Sequence, residues 1–143
     1  MVGPDDADAK QRAAAEEVGR LLAEAGAIVV TGGRGGVMEA ASKGAREAGG
    51  TTLGILPGPD RREANEWVTV AVPTGMGEAR NALVVRAADA VVAVGGAWGT
   101  LSEIAFARKT GKPVAALDSW DLDGVDRFET AAEAVAAVLH RLG

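Results

Sequence analysis

The apolar run Ala90-Val91-Val92-Ala93-Val94 empties into Gly95-Gly96-Ala97-Trp98-Gly99-Thr100-Leu101-Ser102-Glu103, and a helical segment continues to Lys109. A strand, a glycine turn and a helix start, in that order, aim backbone N–H groups out of a helix end that carries roughly +0.5 of an elementary charge. The layout occurs twice. Ala27-Ile28-Val29-Val30 runs into Thr31-Gly32-Gly33-Arg34-Gly35-Gly36, four glycines within six residues, and Val37 to Ala48 reads as a helix. Turns so rich in glycine permit positive φ and close approach of a ligand. With a hydroxyl and a carboxylate in the second turn, the pair points to a phosphorylated small molecule.

The remaining elements fall into the same alternation. Asp5 and Asp6 are placed to cap a helix from about Asp8 to Ala25, which Gly26 stops. Strands are predicted at Thr51–Leu56, Trp67–Val72 and, last in the chain, Pro113–Leu117. Helices are predicted at Gly77–Ala87, Thr100–Thr110 and Thr130–Arg141, and Pro57 to Glu66 reads as a polar loop. Most strands are apolar on both faces, as parallel strands covered by helices are. The expected fold class is α/β, a three-layer Rossmann-like sandwich with a mostly parallel sheet, and residues 1–143 form one domain. Only Met1-Val2 stands ahead of Gly3-Pro4, so the first strand is expected to be short or truncated.

Composition narrows the function. The absence of cysteine excludes a disulfide framework and thiolate-held zinc, and a single histidine, His140, with scattered carboxylates makes a poor metal-ligand set. No metal and no cofactor are expected. The net charge of -5 argues against a nucleic-acid surface, and no apolar run approaches the ~20 residues of a membrane helix. By elimination the reading is a cytoplasmic protein acting on a small molecule.

The candidate binding residues are Gly32, Gly33, Arg34, Gly35 and Gly36 of the first turn and Gly95, Gly96, Gly99 and Thr100 of the second. Arg80 and Asn81 join them from Gly75-Met76-Gly77-Glu78-Ala79-Arg80-Asn81, where a helix start can face the strand ends at which open α/β sheets bind ligands. Glu103, on the first turn of the predicted helix, would face the group attached to the phosphate. Thr100 and Glu103 equally fit a capping box, T-x-x-E, which would make both purely structural. A dinucleotide site fits poorly, since G-x-G-x-x-G and the ribose-binding acid are both missing. Lys10, Lys43, Lys109 and Lys112 offer neither a phosphate-loop lysine nor a pyridoxal phosphate anchor.

Four stretches together resemble the LOG (Lonely Guy) family, long mislabelled as lysine decarboxylases, and within it the bacterial branch similar to molybdenum-cofactor carrier proteins. They are Thr31 to Glu39, Gly49 to Gly58, Gly75 to Asn81 and Gly95 to Glu103. The resemblance implies hydrolysis of the N-glycosidic bond of nucleoside 5′-monophosphates to free base and ribose 5-phosphate. Arg80 and Glu103 would be the catalytic pair, Gly95, Gly96, Gly99 and Thr100 the phosphate turn. Val94 stands where that family's signature has proline, and Asn81 where the hydrolases have lysine. The alternative it implies is a non-catalytic nucleotide or molybdenum-cofactor carrier, and a third reading is an interaction protein with a vestigial site. It also implies a homodimer or higher homo-oligomer.

Overall fold

The computed structural model describes residues 1–143 as an α/β sandwich with parallel strands throughout. In chain order the elements are α1 (Ala9–Glu24), β1 (Val29–Thr31), α2 (Val37–Glu47), β2 (Thr52–Leu56), β3 (Val70–Pro73), α3 (Arg80–Ala87), β4 (Val91–Val94), α4 (Trp98–Lys109), β5 (Val114–Leu117), β6 (Asp126–Phe128) and α5 (Ala131–Leu142). The strands form two three-stranded halves, β1-β2-β3 and β4-β5-β6. Met1-Val2 stitches them together. Val2 bridges in parallel to Ala93, its N–H donating to Val92 O at 3.0 Å and its carbonyl accepting from Val94 N at 3.0 Å. On the other side the Met1 nitrogen donates to Val30 O at 2.9 Å. The short first strand therefore lies at the middle of the sheet.

Side-chain alternation along β4 shows both faces covered. Val92 and Val94 pack with Val18, Val37, Ala41 and Val135 under α1, α2 and α5, while Val91 and Ala93 pack with Val84, Val85, Ile104 and Ala107 under α3 and α4. Helices α1 and α2 meet backbone to backbone: a methyl at Gly19 would overlap the carbonyl of Ala41, and one at Gly44 that of Glu16. Capping boxes open α1 and α5, at Asp8 with Gln11 and at Thr130 with Glu133.

Four expectations need correction. Asp8, not Asp5 or Asp6, caps α1, because the chain between Gly3 and Asp5 is occupied in contacts with Gly36 and Val37. Helix α3 is preceded by a 3₁₀ turn, Gly77–Ala79, and α4 begins two residues early, at Trp98 behind Ala97, which makes no side-chain cap. The last strand is β6, an edge strand of Asp-Arg-Phe whose polarity hid it. The fourth follows from the second: Thr100 is not an N-cap, so the capping-box reading of Thr100 and Glu103 fails, and Glu103 lies in the second helical turn, not the first.

Candidate functional site

A cavity of about 320 Å³ opens at the carboxyl ends of the Met1-Val2 stitch, β1 and β4. Gly3, Pro4 and Asp5 form one wall, and Gly32 and Arg34 come from the turn after β1. Glu78, Arg80 and Asn81 enter from α3 and the 3₁₀ turn before it. Ala97, Gly99, Thr100 and Glu103 enter from the start of α4. Both glycine turns thus converge on one cleft, at the sheet edge where open α/β folds bind ligands.

Trp98, Gly99 and Thr100 are the first three residues of α4, and the first backbone bond of that end runs from Leu101 N to Ala97 O. Those three N–H groups precede the intrahelical ladder and so lie at the positive end of the helix. The Thr100 hydroxyl is 2 % exposed and has no hydrogen-bond partner. A buried hydroxyl without a partner costs about 1–3 kcal/mol, which a ligand oxygen would recover.

Arg80 reaches across the cleft floor. Its Nη2 donates to Gly32 O at 3.5 Å, its Nη1 donates to Asn81 Oδ1, and its Nε has no partner. Burial pulls its guanidinium below the ordinary value, with Glu103 opposing. Asn81 also donates to Ser102 Oγ at 3.4 Å, and Ser102 donates to Gly99 O at 2.6 Å, tying α3 to the start of α4. Glu103 is 7 % exposed. Burial pushes its carboxyl up to about 7 against the pull of the Met1 amino group and of Arg80. An acid so poised can serve near neutral pH either as a hydrogen-bond donor or as an ionised base.

Not every candidate residue lines the cleft. Gly33 lies against Leu56 and Gly54, and Gly35 against the Asp5 carboxylate. Gly36, at φ +59, backs onto Pro4 and Asp5, and the Val37 N–H beyond it already donates to Pro4 O. Gly95 packs on Pro4, and Gly96 on Trp120. These five glycines let neighbouring chain approach from behind, while Gly32 and Gly99 face the cavity. Arg34 lies at its mouth, 3.6 Å from Glu63.

Sequence reasoning missed Asp5, Glu78 and Asn65. The Asn65 side chain donates to Gly33 O and Arg34 O at 3.2 and 2.8 Å, clamping the first turn from the loop after β2. Such pairings between distant loops leave no local signature. Asp5 did have one, since Gly3-Pro4 follows Val2 as a third strand-to-turn junction. Among clusters of acidic and histidine side chains, none is arranged to hold a metal ion.

Over most of its length the chain is 43% identical to an uncharacterized protein of Archaeoglobus fulgidus, across 136 residues that cover 94% of this chain and 89% of that one. It superposes on the molybdenum cofactor binding protein of the phototrophic bacterium Rippkaea orientalis with a TM-score of 0.93 at 36% identity, covering 99% of this chain and 94% of the other. With the molybdenum cofactor carrier protein of Chlamydomonas reinhardtii the TM-score is 0.90 at 40% identity, with the same coverages. The match to a common sequence pattern extends over residues 1–141, taking in both glycine turns, Arg80 and Glu103, and the chain belongs to the SLOG cluster4 family.

Proposed function

We propose that this chain binds and carries a phosphorylated, nucleotide-like small molecule without turning it over, with molybdenum cofactor as the cargo. The observation that carries the reading is the unsatisfied donor set of the cleft: the Thr100 hydroxyl, Arg80 Nε and the first N–H groups of α4. That set suits a phosphate at a helix N-terminus, with Arg80 adding a charged hydrogen bond. The names of the similar proteins from Rippkaea orientalis and Chlamydomonas reinhardtii supply the cargo. Gly32, Arg34, Gly99, Thr100 and Asn81 would hold the phosphorylated end, with Gly33, Gly35, Gly36, Gly95 and Gly96 shaping the turns behind it. No resident cofactor or metal is part of the reading. Equilibrium binding of molybdenum cofactor and of AMP, with product analysis, tests it. Saturable binding with the ligand recovered intact supports a carrier; no binding of either overturns it.

A second reading is favoured by one observation, the buried Glu103 beside Arg80 in that cleft. It is the LOG-type phosphoribohydrolase. There an ionised Glu103 would stabilise the oxocarbenium character developing on the ribose and orient water, and Arg80 would orient the substrate. Adenine and ribose 5-phosphate released from AMP decide for it. In either case we propose that residues 1–143 act as one domain and that the protein works as a homodimer.

A further inference from the structure

The cleft has two ends of opposite character. Its deep end offers donors without partners, the hydroxyl of Thr100, a residue 2 % exposed, and Arg80 Nε. Its mouth offers acceptors, the exposed carboxylates of Asp5 and Glu78. Pro4, Met38 and Pro57 add apolar wall. Arg80 is close enough to feel both ends: Glu103 supports its charge most, and Asp5 and Glu78 support it less.

Carboxylates at the mouth of an anion site oppose the ligand unless the ligand brings donors to them. The two differ in what they are free to do. Asp5 leans back on the first glycine turn, its Oδ1 against Gly35. The Glu78 side chain has no hydrogen-bond or ion-pair partner. Its backbone is nonetheless held, since Gly77 N donates to Pro57 O at 2.9 Å and Ala79 N to Met76 O at 3.3 Å. Glu78 is therefore a free acceptor on a fixed turn, two residues before Arg80. The carboxylates here are not arranged to hold a metal ion. A carboxylate accepts two parallel N–H bonds and donates none. Its planar complement is a ring N–H beside an amino group. Guanine and pterins present that edge; adenine puts a bare ring nitrogen beside its amino group.

We propose that Glu78 is the specificity-determining residue of the cleft. It selects a phosphorylated heterocycle that carries an amino group beside a ring N–H, by accepting from both at once. The inference rests on the carrier reading and adds the other end of the ligand to it. Phosphate oxygens take the Thr100 hydroxyl and Arg80 Nε, and the donor edge of the heterocycle takes the Glu78 carboxylate. Donors face acceptors at each end, so the ligand lies across the cleft in one orientation. An adenine in the same place turns a lone pair toward the carboxylate and loses one of the two bonds.

Isothermal titration of the 143-residue chain with GMP, IMP, AMP and ribose 5-phosphate tests this. Glu78→Gln and Asp5→Asn are measured beside the parent, both at exposed positions. The parent is expected to bind GMP about tenfold tighter than AMP, a difference of ~1.4 kcal/mol. IMP should fall between them, because it keeps the ring N–H and lacks the amino group. Glu78→Gln should weaken GMP about tenfold and bring it level with AMP, while ribose 5-phosphate stays within about twofold of the parent. Asp5→Asn should keep the preference for GMP. A parent that binds GMP and AMP alike overturns the inference and leaves the carrier reading standing. So does a preference that survives Glu78→Gln, or one that Asp5→Asn removes. Equal weakening of all four compounds by Glu78→Gln overturns it too, since the side chain would then shape the cleft and read no edge. Failure of GMP to bind where molybdenum cofactor binds overturns the inference alone; if neither binds, the carrier reading falls with it.

Discussion

Glu103 ties the chemistry of the cleft to the stability of the fold. Its carboxyl ordinarily titrates at 4.5 and is raised to about 7 by burial. Between those values the folded chain holds a proton that the unfolded chain has lost. The stabilisation is therefore full below about pH 4.5 and is lost as pH rises through about 7, on the order of 3 kcal/mol in all. Glu103→Gln should flatten that slope in denaturant unfolding measured from pH 5 to 8, and a slope unchanged from the parent would refute the assignment. The same variant should abolish any release of base from AMP while leaving AMP binding within a few-fold at pH 6. Above pH 7 it should bind AMP more tightly than the parent, because the ionised carboxylate no longer repels the phosphate. Thr100→Val keeps the shape and removes the hydroxyl. It should weaken AMP binding about tenfold, worth ~1.4 kcal/mol, with little loss of stability, since the hydroxyl has no partner to lose. Isothermal titration and thermal unfolding of the same preparation separate the two effects.

At the scale of elements, the close approach of α1 and α2 rests on having no side chain at two positions. Gly44→Ala should destabilise by about 1–3 kcal/mol in urea unfolding, as the methyl forces α2 away from Glu16 O. Ordinary helix propensity would predict a gain instead, so the sign of the change discriminates. What could be read from the chain at this level was the alternation of apolar runs and helices, because strands buried on both faces cannot hide their composition. The joint between β4 and α4 was legible as a glycine turn, yet the helix start was misplaced at Thr100. Ala97 stands at the N-cap of α4 with no side-chain hydrogen bond, so no residue type marked the boundary. Strand β6 escaped notice for a related reason: three residues at an edge need neither alternation nor full burial. Within the site, Arg80, Glu103 and Thr100 could be picked out because each follows a strand and opens or lines a helix. Asn65, Glu78 and the Arg34–Glu63 pair could not, since only the folded loops bring them together.

For the whole molecule the expected assembly is a homodimer. Sedimentation at micromolar concentration is the check: a single monomeric species removes the proposal, and a tetramer keeps the dimer as a building block. Within one chain the architecture has a consequence of its own. The β1-β2-β3 half is drawn from residues before 74, and the β4-β5-β6 half from residues after 90. Apart from helices packed across it, only the Met1-Val2 stitch joins the two in the sheet. The cleft straddles that division, taking Gly32 and Arg34 from one side and Gly99 and Thr100 from the other. A bound phosphate compound is then a rivet through two plates. At a hundredfold excess over Kd it adds about 2.7 kcal/mol against unfolding, and it should slow amide exchange in β2 and β5 together, although it touches neither strand. On the proposed carrier reading, cargo held this way would be locked in by the rigidity it confers, and whatever pries the plates apart would also set it free.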